Sequence, residues 1–259
     1  MGTATLQGRL WGARAKDWSV VQEWETRPAY QTILDEYGPW PGETLLDVGC
    51  GSGSFASMAA AQGARVAGID AAPELIEIAE CRVPDGVFRV CDMEQLPYAE
   101  GSFGVVTGIN SFQYAAEPFL ALAEAARVTK PGGRVVAMVW GTAGECDATP
   151  YLEAMAAKQP TSPDTPGSFA LSEPGVLEKL LTKAGLTVGE RRAVECSWFY
   201  SDEKTALRGL LSMGPAVSAI NHSGEAAVSA AVLEAIARFR CRSGMYLLRN
   251  KFQYVVGTR

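Results

Sequence analysis

Histidine is almost missing from this chain: His222 is the only one in 259 residues. The six cysteines (Cys50, Cys81, Cys91, Cys146, Cys196 and Cys241) are scattered and form no CxxC pair. Tetrahedral zinc needs four nitrogen or sulfur donors brought together, so a structural metal is disfavoured and the cysteines read as free thiols. Positive charge is scarce as well, with 23 Lys and Arg against 29 Asp and Glu and a formal net charge of -6. No Lys/Arg cluster is dense enough to follow a phosphate backbone, which argues against DNA or RNA as a partner. Long apolar runs are lacking too. Nothing approaches the roughly 18 residues of a membrane span, and the first residues hold no apolar signal core, so a cytoplasmic protein is expected. What is present is 47% hydrophobic residues in a length that suits a single α/β domain, 1–259, with an elaboration.

The stretch 44–56, TLLDVGCGSGSFA, organises the rest. Apolar Leu45, Leu46 and Val48 run into glycines at alternate positions, Gly49, Gly51 and Gly53, and then into small helical residues. That pattern is a buried strand turning tightly into a helix. Glycine has no Cβ to hold a ligand off, so amides at the helix start can converge on a cofactor. Before the loop, Trp11, Ala15, Trp18 and Val21 share one apolar face and Tyr30, Ile33, Leu34 and Tyr37 another, which predicts two amphipathic helices within 1–43. After it, strands are expected at 65–69, 87–91, 103–109 and 134–140, with helices opening near Ser54, Pro73 and Glu117. Such alternation means a doubly wound parallel sheet whose ligand crevice lies over the carboxyl ends of the strands. Asp70 closes the second strand where a carboxylate can accept from both ribose hydroxyls of an adenosine. Asp92 and Asn110 follow the third and fourth strands on the same edge.

Four motifs, DVGCGSG at 47–53, GID at 68–70, CDMEQLPYAEGSF at 91–103 and EAARVTKPGG at 124–133, resemble those of class I S-adenosylmethionine-dependent methyltransferases. The branch they look like is the small-molecule one, which includes ubiquinone and menaquinone biosynthesis methyltransferases. The resemblance spans about 45–140, the cofactor-binding core of 44–140. It implies a Rossmann-like methyltransferase fold with a seven-stranded, mostly parallel sheet in the order 3-2-1-4-5-7-6. It also implies methyl transfer from S-adenosyl-L-methionine, leaving S-adenosyl-L-homocysteine, to a small-molecule acceptor. Carried over by position, Asp47, Gly49, Cys50, Gly51 and Gly53 would surround the methionine portion. Asp70 would hold the ribose with Ala71 beside it, Asp92 and the Met93 backbone would read the adenine edge, and Asn110 would border the methyl group. Gly104 stands where the family commonly has an acid. Asn110 is followed by Ser-Phe-Gln rather than the Pro-Pro-aromatic signature of many amino-directed nucleic-acid methyltransferases, which again favours a small acceptor.

An NAD(P)-dependent oxidoreductase is the competing class, because Gly51-x-Gly53-x-x-Ala56 also satisfies the relaxed dinucleotide fingerprint. Asp47 would repel a pyrophosphate and favour the ammonium of a methionine tail. A non-catalytic S-adenosylmethionine-binding protein is the third possibility.

The C-terminal half, 141–259, is less regular. A proline-rich loop is expected at 160–167, a helix from about Glu173, a sixth strand at 187–196 and an antiparallel last strand at 252–256. The intervening 201–248 is too long for a hairpin and reads as a helical lid. This insertion and the N-terminal helices are the available walls for a substrate pocket. Trp18, Phe112, Tyr114, Trp140 and Trp198 are the aromatic candidates to line it for a planar or prenylated acceptor. An activated sulfonium needs orientation rather than a protein nucleophile. Should a proton have to leave, the candidate bases are His222, expected in a turn between two helices of the insertion, and an Asp or Glu of the lid.

Overall fold

The glycine loop and its neighbouring strands build one sheet in a computed structural model that describes residues 2–159 and 167–259. The proline-rich stretch expected at 160–167 lies, except for Gly167, outside the described residues.

The N-terminal region is helical but not as two simple helices. It runs through α1 (Ala4–Gly12), α2 (Ala15–Asp17), a π-helical turn (Trp18–Gln22), a 3-10 turn (Glu23–Thr26) and α3 (Arg27–Tyr37). The first expected helix breaks after Gly12 because packing outweighs its periodicity. A Cβ on Gly8 would lie 2.2 Å from the Ala71 carbonyl oxygen, and one on Gly12 would lie 2.1 Å from a Glu74 carboxylate oxygen. Bare backbone therefore presses onto the end of the second strand, and the chain must turn to keep that contact.

The core follows the alternation: β1 (Thr44–Val48), α4 (Ser54–Ala61), β2 (Arg65–Asp70), α5 (Pro73–Arg82), β3 (Val87–Val90), β4 (Phe103–Ile109), α6 (Pro118–Val128) and β5 (Thr129–Trp140). Proline opens α5 and α6, where its fixed φ suits the first helical turn and no N–H is missed. β1 pairs in parallel with β2 on one side and β4 on the other, so the topological switch point, and with it the crevice, lies above β1. Fully buried β-branched and aliphatic residues face a core on each side of the sheet, as parallel strands require. The Lys-Pro-Gly-Gly turn falls within β5, where the pairing jumps from Phe103↔Thr129 to Val105↔Arg134. At Gly104 the space of a side chain is taken by Glu43: a Cβ there would lie 2.8 Å from its carboxylate, which is paired with Arg134 at 2.8 Å.

The C-terminal half adds α7 (Thr149–Ala157), α8 (Val176–Lys183), β6 (Thr187–Val188), β7 (Arg192–Tyr200), the helices α9 (Glu203–Leu210), α10 (Gly214–Ser223) and α11 (Glu225–Ile236), and β8 (Tyr246–Thr258). The single strand expected at 187–196 is two. Arg191 is pulled out of the sheet by Glu178 at 2.7 Å and the Ser172 carbonyl at 2.9 Å, which divides it. The result is an eight-stranded sheet in the order β3-β2-β1-β4-β5-β8-β6, with β7 also on β8. Apart from that division the expected order holds. β8 is longer than 252–256 because it pairs antiparallel with β7 from Tyr246 to Tyr254 as well as with β5. Among the described residues no helix is long and apolar enough to cross a membrane, and no group of three or more His, Cys, Asp or Glu could hold a metal ion.

Candidate active site

The loop after β1 is locked before any ligand arrives. The Gly49 and Cys50 amides both donate to the Ile69 carbonyl, at 2.8 and 2.9 Å, and tie the turn to the end of β2. Gly49 has φ +73°, and a Cβ there would sit 2.4 Å from Ser111 Cβ, so this position tolerates no side chain. Asp70 extends the lock: one carboxylate oxygen accepts from the Gly51 amide and the other from the Ala72 amide, each at 2.9 Å. Burial pushes Asp70 up to about 6 against those opposing hydrogen bonds. Asp47 is buried below the loop, where it accepts from the Thr107 hydroxyl at 2.7 Å, and burial pushes it up to about 7.

A cleft lies above this loop, over the carboxyl ends of the strands. Of the expected cofactor residues, Gly49, Gly51, Asp70, Ala71, Asp92, Met93 and Asn110 line it. Asp47, Cys50 and Gly53 do not. Asp47 supports β1 against β4, and Gly53 gives room to α5, since a Cβ there would lie 2.9 Å from Ala79 Cβ. Asn110 has φ +56°, a left-handed conformation unusual for a residue with a side chain. Its Oδ1 accepts from Gln113 Nε2 at 2.5 Å.

The N-terminal region closes this cleft. Thr3, Ala4, Gln7, Trp11, Trp18, Thr26 and Tyr30 all face it. Thr3 donates its hydroxyl proton to the Tyr114 carbonyl at 2.8 Å, and a Cβ on Gly2 would lie 2.6 Å from an Asp92 carboxylate oxygen. Above Gly51 sits the Trp18 indole nitrogen, shielded from solvent and without a hydrogen-bond partner among the described residues.

Two residues that sequence reasoning missed hold that region down. Glu23, 2% exposed, accepts from the Ser52 amide at 2.9 Å and from the Ser52 and Ser54 hydroxyls. Arg82, from the end of α5, completes the network with Glu23 at 2.9 Å and the two hydroxyls at 2.7 and 2.5 Å. Nothing local marks either residue, because their partners lie 28 to 59 positions away along the chain.

Other expected residues lie elsewhere. Of the five aromatic candidates, Trp18 and Tyr114 line the cleft. Phe112, fully buried, fills the space over Gly108, where a Cβ would meet its ring at 2.0 Å. Trp140 and Trp198 are core residues with ring centroids 5.3 Å apart, and Trp140 packs on Phe252 at 4.7 Å. β5 and β7 both lie against β8, and that pairing carries the two indoles into the interior. His222 is exposed in the last turn of α10 rather than in a turn between helices, and it does not line the cleft. The break falls at Gly224, whose φ of +83° ends the helix.

Residues 46–137 match a family profile described as a methyltransferase domain. The chain is 36% identical over 117 residues to a demethylmenaquinone methyltransferase of Renibacterium salmoninarum, covering 45% of this chain and 49% of that protein. It is also 36% identical over 113 residues to a ubiquinone biosynthesis O-methyltransferase of Hahella chejuensis, covering 42% and 48%. The chain thus spans about half the length of these curated relatives. Among solved structures it is similar to geranyl diphosphate C-methyltransferase from Streptomyces coelicolor A3(2), in complex with Mg2+, geranyl diphosphate and S-adenosyl-L-homocysteine. There the TM-score is 0.54 at 17% identity over 89% of this chain and 78% of that one. Residues 46–137 thus match a methyltransferase domain, and the chain shares its fold with that solved C-methyltransferase.

Proposed function

We propose that this chain, acting as one unit over 1–259, transfers a methyl group from S-adenosyl-L-methionine to a small-molecule acceptor in the cytoplasm, without a nucleic-acid partner. One observation carries the assignment. The cleft is lined by Asp70 and Asp92 and by no Lys, Arg or His among the described residues, so it favours a cation and offers a pyrophosphate no counter-charge. This separates the two cofactor classes that the glycines alone leave open.

When bound, the cofactor supplies a sulfonium-activated methyl group. The chain's own residues then have three tasks. Asp70 keeps free lone pairs beyond its two backbone bonds and can accept from ribose hydroxyls, while Asp92 and Met93 suit the adenine. The Trp18 N–H, above Gly51, is placed for the carboxylate of a methionine tail. α1 and the turns after it cover the cleft and exclude water. Burial raises the Tyr30, Cys91 and Tyr114 side chains above their ordinary values, so they stay protonated near neutral pH. Proximity and orientation, rather than a protein base, are left to supply the rate.

Photo-crosslinking with methyl-labelled S-adenosylmethionine tests the assignment. Labelling should be competed by S-adenosylhomocysteine and not by NAD, and it should be lost in Asp70→Ala. Competition by NAD would return the chain to the oxidoreductase class.

A further inference from the structure

The glycine loop satisfies a dinucleotide fingerprint, yet the chain itself fills the place that such a loop keeps for phosphate. In a dinucleotide-binding fold, the amides between the fingerprint glycines and the start of the next helix face a pyrophosphate. Here the amide between Gly51 and Gly53, that of Ser52, donates to Glu23 Oε1 at 2.9 Å. The same oxygen crowds Gly51, where a Cβ would lie 2.7 Å from it. Glu23 Oε2 accepts from the Ser52 and Ser54 hydroxyls, at the start of α4, and from Arg82 Nη1 at 2.9 Å. A loop amide, two hydroxyls and a guanidinium are the kind of donor set that holds a phosphate. A protein carboxylate that is 2% exposed already holds this one.

Two further observations tie Glu23 to the cofactor rather than to packing alone. Gly51, which it crowds, lines the cleft. Its charge also reaches the acids of the site, since Glu23 is among the groups that push Asp47 and Asp70 up. Arg82 bonds to both loop serines, at 2.7 and 2.5 Å, so without Glu23 a positive charge would stand uncompensated beside the glycine loop.

We infer that Glu23 is a specificity residue for the cofactor: it stands in for the anion of the glycine loop, neutralises Arg82, and so bars adenosine cofactors joined through a pyrophosphate. A cofactor whose adenosine carries a sulfonium makes no demand on that slot. The inference rests on the methyltransferase reading for the cofactor that is kept, and goes beyond it in naming the residue that refuses the other class.

Glu23→Ala empties the slot and leaves Arg82 with both serines. Titration calorimetry of the full chain uses ADP-ribose, which carries adenosine and a pyrophosphate, as the probe. Glu23→Ala should bind it at least about tenfold more tightly than wild type, a gain that disappears when Arg82→Met is added. Unchanged ADP-ribose affinity in Glu23→Ala overturns the inference, and so does a gain that survives Arg82→Met. Should Glu23→Ala prove too unstable to titrate, Glu23→Gln keeps the side-chain volume and removes the charge. It should gain at least about threefold, and equality with wild type overturns the inference. S-adenosylhomocysteine is titrated into wild type in parallel. Its failure to bind removes the methyltransferase reading, while the ADP-ribose titrations still decide the role of Glu23.

Discussion

Residues 44–140 and the 43 residues before them make the same cleft by opposite routes. The core strands put Gly49, Asp70, Asp92 and Asn110 on one sheet edge through local pattern alone: an apolar run, a turn residue, then a helix start. The N-terminal region reaches the cleft through contacts distant in sequence, with Gly8 on Ala71, Thr3 on Tyr114 and Glu23 on Ser52. One part binds through its backbone course; the other is held against it by side chains. Substitutions in the first should therefore act on the cofactor, and substitutions in the second on closure and stability.

The sharpest way to break that contrast is Glu23→Ala. It leaves Arg82, 21% exposed, facing two serines without its carboxylate. Removing one partner of a buried pair costs about 3–5 kcal/mol, and the partial exposure of Arg82 places this case at the lower end. Urea unfolding should show a loss of about 3 kcal/mol, whereas an unchanged midpoint would make the clamp ornamental.

Asp70→Ala is next. A carboxylate that accepts two ribose hydrogen bonds should cost about 2–3 kcal/mol of S-adenosylhomocysteine affinity when removed, the pair being less than additive. Ligand-free stability should fall by only about 1 kcal/mol, from the lost bonds to the Gly51 and Ala72 amides. An affinity equal to wild type by calorimetry would exclude the ribose role.

pH separates the two effects within the core. Asp47 is raised to about 7 and Asp70 to about 6, so between pH 4 and 7 the folded chain binds more protons than the unfolded one. Their contribution to stability is present at low pH and is lost as pH rises through those values. The ligand-free melting temperature should accordingly fall from pH 5 to pH 8, with a shallower slope in Asp47→Asn. Ligand affinity should move the other way, weakening below pH 6 as Asp70 gains a proton and loses acceptor capacity. Parallel trends in stability and affinity would contradict this division.

The smallest effect is expected at His222. Exposed at the end of α10 and away from the cleft, it should leave turnover within about twofold of wild type when changed to Ala, and stability within about 0.5 kcal/mol. A hundredfold loss of turnover would restore it as a base.

The same contrast explains what could be read from the residues. β1 and β4 were legible to the residue, at Thr44–Val48 and Phe103–Ile109, because a buried strand flanked by glycine or polar residues has few alternatives. The division of the outer strand was not, since it depends on Arg191 reaching back to Glu178. Aromatic residues were the least informative. Trp18 and Trp140 look alike in sequence, yet one borders the cleft and the other is fully buried against Phe252, a difference set by which element each packs on. Glu23 gave no signal, because an acid in a helical stretch ordinarily faces water.

The central proposal is that the acid-lined cleft above β1, without a cationic side chain among the described residues, takes S-adenosylmethionine. Isothermal titration of the full chain with S-adenosylhomocysteine, and separately with NAD, tests it most directly. The account predicts one S-adenosylhomocysteine bound per chain and no heat of binding from NAD. Binding of NAD, or a null titration with S-adenosylhomocysteine, would contradict it.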